Sequence, residues 1–128
     1  TDSERAFCWL MQELAKSHAG VPSVPELTHT LRELVPQIAR HGTFNFLLSN
    51  GEALWAHANT HLYYVLRKHP FHQATLSDED LSVNFAEHTR QTDRVAVVVT
   101  APLTLDEDWV PLPAGQLAVF VDGVRLDV

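Results

Sequence analysis

Apolar residues near the start of the chain fall at Phe7, Leu10, Met11 and Leu14, the i, i+3, i+4, i+7 spacing of a helix with one buried face. Thr1-Asp2-Ser3-Glu4 precedes them with the Ser/Thr-x-x-Glu spacing of a capping box, so a first helix is predicted to reach about Ser17. Gly20, Pro22 and Pro25 then break the pattern. Ser23 and Glu26 repeat the capping spacing, and Leu27, Leu31, Leu34, Val35 and Ile38 form a second apolar stripe that Gly42 should stop. Pro36 lies inside that stripe without an N–H for the carbonyl four residues back, so a kink or an early end is expected there.

Past Gly42 the pattern changes to that of strands. Phe44 to Leu48 and Ala53 to Ala58 flank Asn50-Gly51, a hairpin turn signal, and His61 to Leu66 reads as a third strand closed by Pro70. The stretch from Asp78 to Asp93 is polar and irregular apart from short runs such as Leu81 to Phe85. Val95 to Thr100 is almost entirely β-branched, as expected of a strand buried on both faces. A loop holding Pro102, Pro111 and Pro113 follows. Gln116 to Val121, an Asp122-Gly123 turn and Val124 to Val128 then predict a terminal hairpin. Two helices followed by antiparallel strands make an α+β layout, with the helices on one face of the sheet. Apolar residues on both parities of Phe44 to Leu48 and Val95 to Val99 call for a further layer against the other face.

Length and composition narrow the function classes. The chain of 128 residues is 45% hydrophobic and 20% charged, which suits one globular domain and neither a disordered segment nor a membrane protein. A net charge of −7 repels phosphate backbones and anionic membranes, so neither nucleic acid nor a membrane is an expected partner. Cys8, the only cysteine, excludes an intrachain disulfide and fits a reducing compartment, so a cytoplasmic location is expected. Because the sequence opens at Thr1, inside a helix-capping motif, further polypeptide upstream is expected.

Thr1-Asp2-Ser3-Glu4-Arg5-Ala6-Phe7-Cys8-Trp9-Leu10, Phe44-Asn45-Phe46-Leu47-Leu48-Ser49-Asn50-Gly51 and Leu66-Arg67-Lys68-His69-Pro70-Phe71 together give the chain its resemblance to a family. With Val95 to Pro102 and the terminal hairpin, it resembles the small stand-alone class II glutamine amidotransferases of the YafJ type, over the C-terminal half of their domain only. The resemblance implies half of an αββα sandwich of the N-terminal-nucleophile hydrolases. In that fold a terminal cysteine, activated by its own α-amine, attacks a glutamine side-chain amide, and hydrogen-bond donors hold the oxyanion. The cysteine, the arginine that clamps the substrate carboxylate and the Asn-Gly pair of the oxyanion hole all belong to the half not represented here. Asp2 is the residue that carries over: its family position holds the substrate α-ammonium, which needs an opposite charge once it leaves water. The competing reading of Asp2 is a carboxylate placed for the helix dipole.

Other constellations carry less. Thr1 has the hydroxyl and amine of a threonine nucleophile, but the matching family threonine is internal and caps a helix. Asn50-Gly51 lies between alternating strands and reads as a turn, not an oxyanion pair. Cys8, flanked by Phe7 and Trp9, is expected to be a small buried hydrophobe. His57, His61, His69 and His72 are the densest histidine group, yet His57 and His61 on one strand would stand about 13 Å apart, too far to share a zinc ion. Asp78-Glu79-Asp80 and Asp106-Glu107-Asp108 read as solvated loops, without the spacing of a calcium loop. Neither a metal nor a cofactor is expected. Residues 1–128 are therefore expected to be the C-terminal portion of one amidotransferase domain acting on glutamine or another γ-glutamyl amide. This portion would be inactive alone, with its inner sheet face bare, and completed by the missing N-terminal half or a second chain. The alternative is a non-catalytic interaction module that keeps the fold.

Overall fold

The computed structural model describes residues 1–68, 71, 73–77, 82–84, 90 and 92–128. Its contacts divide the chain into two units, Thr1–Phe44 with Val128, and Asn45–Asp127.

The first unit holds two helices, α1 (Asp2–Ser17) and α2 (Val24–Ala39). Both open on the capping boxes expected of them. The Thr1 and Ser23 hydroxyls accept from the Glu4 and Glu26 N–H groups, and each glutamate returns a bond to its cap's backbone nitrogen. On α2 the buried residues Val24, Leu27, Thr28, Leu31, Leu34, Val35 and Ile38 follow the helical period. The Thr28 hydroxyl, fully buried, donates to the Val24 carbonyl at 2.7 Å. The early end expected at Pro36 does not occur, and α2 runs on to Ala39. Pro36 and Arg32 both lie on the exposed side, where water can meet the carbonyl left without its N–H.

The second unit is built of strands β1 (Phe46–Ser49), β2 (Leu54–His57), β3 (Leu62–Lys68), β4 (Gln73–Thr75), β5 (Ser82–Asn84), β6 (Arg94–Val99), β7 (Val110–Leu112), β8 (Leu117–Val121) and β9 (Val124–Leu126). They form antiparallel sheets in the orders β1-β2-β8-β9, β6-β3-β7 and β4-β5. The first two sheets pack face to face. Ala56, Ala58, Ala118 and Phe120 from one meet Leu62 and Leu112 from the other, with Tyr64, Ala96 and Val98 around them. Tyr64 and Phe120 cross edge to face at 5.3 Å, and burying a ring of this size contributes about 2 to 3 kcal/mol. The other face of the first sheet carries Trp55, His57, Leu117 and Val119, all buried.

Asn45 fixes the corner between β2 and β3. Its side-chain oxygen accepts from the Asn59 and Thr60 N–H groups at 2.7 and 3.0 Å, and its nitrogen donates to the Thr60 hydroxyl and the His61 carbonyl. Gln73–Thr75, for which the pattern predicted no element, pairs as a short hairpin with Ser82–Asn84, which lies in the run Leu81 to Phe85 set apart from the irregular stretch around it. Two expectations need correction. Pro111 lies within strand β7, which it can do because β7 is a sheet edge. Finally, β6 is not buried on both faces: among the described residues it too is an edge, with Val95 45% exposed and Ala96 to Val99 half buried.

Candidate functional site

Asp2 is the first residue of α1, exposed at a helix N-terminus where the peptide dipoles and free N–H groups favour negative charge. Capping is done by its neighbours Thr1 and Glu4. Among the described residues the Asp2 carboxylate has no hydrogen-bond or ion-pair partner. The group is therefore held in place by the helix while both of its oxygens stay available. Thr1, by contrast, is committed: its hydroxyl accepts from the Glu4 N–H at 3.2 Å and its nitrogen donates to the Glu4 carboxylate at 2.9 Å.

In the second unit, a cleft of about 340 Å³ opens between the two large sheets at one end of the sandwich. Leu54 and Phe120 of one sheet and Ala96 of the other form its apolar wall. Ser49, Glu52, Arg94 and Asp122 supply polar groups at its mouth, beside the turns at Gly51 and Gly123. Asn50-Gly51 is confirmed as a hairpin turn. The Asn50 side-chain oxygen accepts from the Glu52 and Ala53 N–H groups at 2.9 and 2.8 Å, which leaves it occupied and unable to act on an oxyanion.

The remaining candidates separate clearly. Cys8 is exposed, contrary to the expected buried hydrophobe, because Phe7, Cys8 and Met11 share a face of α1 that is open to solvent. His57 is buried at the end of β2, its ring 5.2 Å from that of Phe46; burial pushes its pKa below the ordinary value, partly offset by a hydrogen bond to the Gln116 backbone. Its Nδ1 has no partner among the described residues. His61 is exposed and precedes β3, so the two histidines do not share a strand, while His69 and His72 lie outside the described residues. No group of three or more His, Cys, Asp or Glu side chains placed to hold a metal occurs among the described residues.

Of the acidic clusters, residues 78–80 lie outside the described residues, and the other is no solvated loop. Glu107 accepts from Arg67 through both oxygens, at 2.8 Å from Nε and 2.6 Å from Nη2. The Thr104 hydroxyl donates to the same carboxylate at 2.7 Å and accepts from the Trp109 indole at 2.9 Å. The Arg67 hydrogen bonds are the largest influence holding the Glu107 pKa below its ordinary value. Asp106 accepts from the Thr75 N–H at 2.8 Å, so both acids tie the segment between β6 and β7 onto the strands. Sequence spacing gave no sign of this, since the partners are 40 and 31 residues away.

A family model for class-II glutamine amidotransferases matches residues 1–128, the whole of the sequence. The chain belongs to that family. It is 38% identical over 126 residues to a protein of Haemophilus influenzae named "Putative glutamine amidotransferase", covering 98% of this chain and 43% of that one. It is 35% identical over 127 residues to "Putative glutamine amidotransferase YafJ" of Escherichia coli, covering 98% of this chain and 50% of that one. A crystal structure titled as that of a "predicted glutamine amidotransferase" from Pseudomonas aeruginosa superimposes on the whole chain with a TM-score of 0.86 at 34% identity, using 51% of its own length. This amidotransferase chain thus spans about half the length, or less, of these relatives. Its two helices and antiparallel sheets are an α+β arrangement consistent with an N-terminal-nucleophile-like fold. No helix among the described residues is long and apolar enough to cross a membrane.

Proposed function

We propose that residues 1–128 are the C-terminal portion of a single glutamine amidotransferase domain that hydrolyses the side-chain amide of glutamine or another γ-glutamyl amide. In this reading the chain supplies substrate binding and scaffold, and polypeptide outside it supplies the cysteine nucleophile. Asp2 pairs with the substrate α-ammonium. The family match over the whole of residues 1–128 carries the assignment, and the Asp2 carboxylate, which helix capping does not use, is free to fill the role. The family match supports the substrate class, and the family names of the relatives agree with it.

The pairing is an electrostatic one, and it selects for amino acids. An α-ammonium loses water on binding, and a carboxylate with two open acceptor oxygens at a helix N-terminus offsets that loss with charge-assisted hydrogen bonds. A ligand with the amide but no α-ammonium gains nothing from Asp2 and leaves its carboxylate unmatched.

Glutamine hydrolysis measured on the longest natural chain carrying this sequence is the test. Asp2→Asn there should lower kcat/KM by about 10- to 100-fold, the effect of losing one hydrogen-bonded charge pair. Unchanged turnover in Asp2→Asn would remove the role given to Asp2. Absence of any glutamine hydrolysis in the unsubstituted chain would favour the non-catalytic module instead.

A further inference from the structure

The cleft between the two large sheets has an apolar wall and charges sorted by sheet. Leu54 and Phe120 are paired neighbours in the first sheet, and Ala96 of the second completes the wall. Arg94 lies two residues before Ala96 on β6 and so points to the same inner face. Lys68 stands directly opposite Arg94 on β3, which brings two cations to this end of the second sheet. The first sheet brings two carboxylates, Glu52 and Asp122, on the turns that join β1 to β2 and β8 to β9.

None of these four charged side chains has a hydrogen bond or an ion pair among the described residues. Like charges directly opposite each other weaken an antiparallel pair, so Lys68 and Arg94 gain nothing for the sheet by standing together. Ser49, also at the mouth, is already engaged: its hydroxyl donates to the Ala53 carbonyl at 2.9 Å and accepts from the Gly51 N–H at 3.1 Å. The turn at Gly123 packs on the Arg94 backbone so closely that a Cβ there would stand 2.6 Å from the Arg94 carbonyl group. Asp122 precedes Gly123, so a cation and a carboxylate rise from touching backbones. They flank a space of about 340 Å³, within the range of small-molecule sites.

A ligand of one charge sign fits this lining poorly. An anion meets Glu52 and Asp122, and a cation meets Arg94 with Lys68 beside it. A zwitterion with adjacent charges matches both, its carboxylate taking two parallel bonds from the Arg94 guanidinium and its ammonium facing the carboxylates on the turns. We infer that the cleft binds a free α-amino acid with an apolar side chain, which lies against Leu54, Ala96 and Phe120. The site draws only on the second unit, Asp2 takes no part in it, and its ligand needs no side-chain amide, so the inference goes beyond the hydrolysis proposed above.

The test is isothermal titration calorimetry of the longest natural chain carrying this sequence with L-phenylalanine. Saturable binding is expected. Phenethylamine, which lacks the carboxylate, and phenylpropionate, which lacks the ammonium, should each bind at least about tenfold more weakly, the loss of one charge-assisted contact. Arg94→Gln and Asp122→Asn should each weaken L-phenylalanine by a similar factor. Both side chains are exposed and the positive φ of Asp122 suits asparagine, so both variants should fold. Asp2→Asn should leave the affinity unchanged. No saturable binding, equal binding of either single-charge analogue, or unaltered affinity in either cleft variant overturns the inference, as does loss of binding in Asp2→Asn. Glutamine hydrolysis is no part of this readout: a chain inactive on glutamine that binds L-phenylalanine as expected keeps this inference and fails the functional reading, and an active chain that does not bind it does the reverse.

Discussion

At the N-terminus of α1 and in the segment between β6 and β7 the chain places carboxylates in opposite circumstances. Asp2 sits at a helix end with neither oxygen engaged among the described residues, whereas Glu107 has both oxygens taken by Arg67 and one of them shared with Thr104. A carboxylate that stabilises a fold is expected to be satisfied, because an unmatched one in a half-buried site costs several kcal/mol. A carboxylate kept for a ligand has to be left free and stay hydrated until the ligand arrives. Exposure alone does not make the distinction, since Asp106 is exposed and still committed to Thr75.

The largest effect should come from breaking the satisfied end of this comparison. Glu107→Ala leaves the Arg67 guanidinium and the Thr104 hydroxyl without their acceptor in a site where the two charged side chains are 17% and 15% exposed. Removing one partner of a fully buried pair costs about 3 to 5 kcal/mol, and the remaining solvent contact here reduces that to about 2 to 3 kcal/mol. A urea titration that finds a shifted midpoint at unchanged slope would measure it, and a loss below about 0.5 kcal/mol would show the pair to be ornamental.

Next in size is a backbone effect, sharpened by two glycines that look alike in sequence. Asp122-Gly123 is a two-residue turn with both φ angles positive, 50° and 72°, the hairpin geometry that follows strand twist. A Cβ on Gly123 would stand 2.6 Å from the Arg94 carbonyl carbon and oxygen, which are backbone and cannot step aside. Gly51 also has positive φ, at 89°, but a Cβ there meets nothing within 4 Å. Gly123→Ala should therefore cost about 2 kcal/mol or more, combining strain with overpacking, and Gly51→Ala about 1 kcal/mol from strain alone. Equal losses by thermal unfolding would mean that the approach of the β8–β9 turn to β6 is not maintained in solution.

This pair also shows where the sequence was legible. Both turns, both helices and both capping boxes follow from local signals, because dihedral preference and capping are decided within four or five residues. The Gly123 contact with Arg94, the Glu107 pair with Arg67 and the β4–β5 hairpin depend on partners brought together by the fold, or on strands shorter than a periodicity can reveal. Pro111 misled for a related reason: it breaks a rule written for fully paired strands and occupies a sheet edge where that pairing is absent, while at Pro36 only the early end failed to occur. The role proposed for Asp2 comes only from the family resemblance, since the Thr-x-x-Glu spacing around it is the same in any capped helix.

Acid should separate the titrating groups in sequence. His57 has its folded pKa pushed below 6.5 by burial, so the stability it contributes is complete above that value and is lost as pH falls through the lower folded pKa. Glu107 is held below 4.5, so its contribution is complete above 4.5 and is lost only as pH falls through its folded pKa. Unfolding free energy should thus decline in two windows, one beginning near 6.5 and the other near 4.5. In His57→Phe the first decline should vanish and the second remain; a first decline that persists would assign it to another group.

The smallest expected change in stability is at Asp2, and it tests the free end of the comparison. Asp2→Asn removes a negative charge from the first turn of α1 but no hydrogen bond, because the Thr1–Glu4 capping box stays intact. The helix dipole alone makes such a charge worth about 0.3 to 1 kcal/mol at low salt and less at physiological ionic strength. The melting curve of Asp2→Asn should accordingly lie within about 0.5 kcal/mol of the unsubstituted protein, while Glu4→Gln, which weakens the capping box itself, should cost more. A loss at Asp2 comparable to that at Glu107 would make it a structural acid after all, since its stabilising partner would then have to lie in polypeptide beyond this chain and not in a ligand.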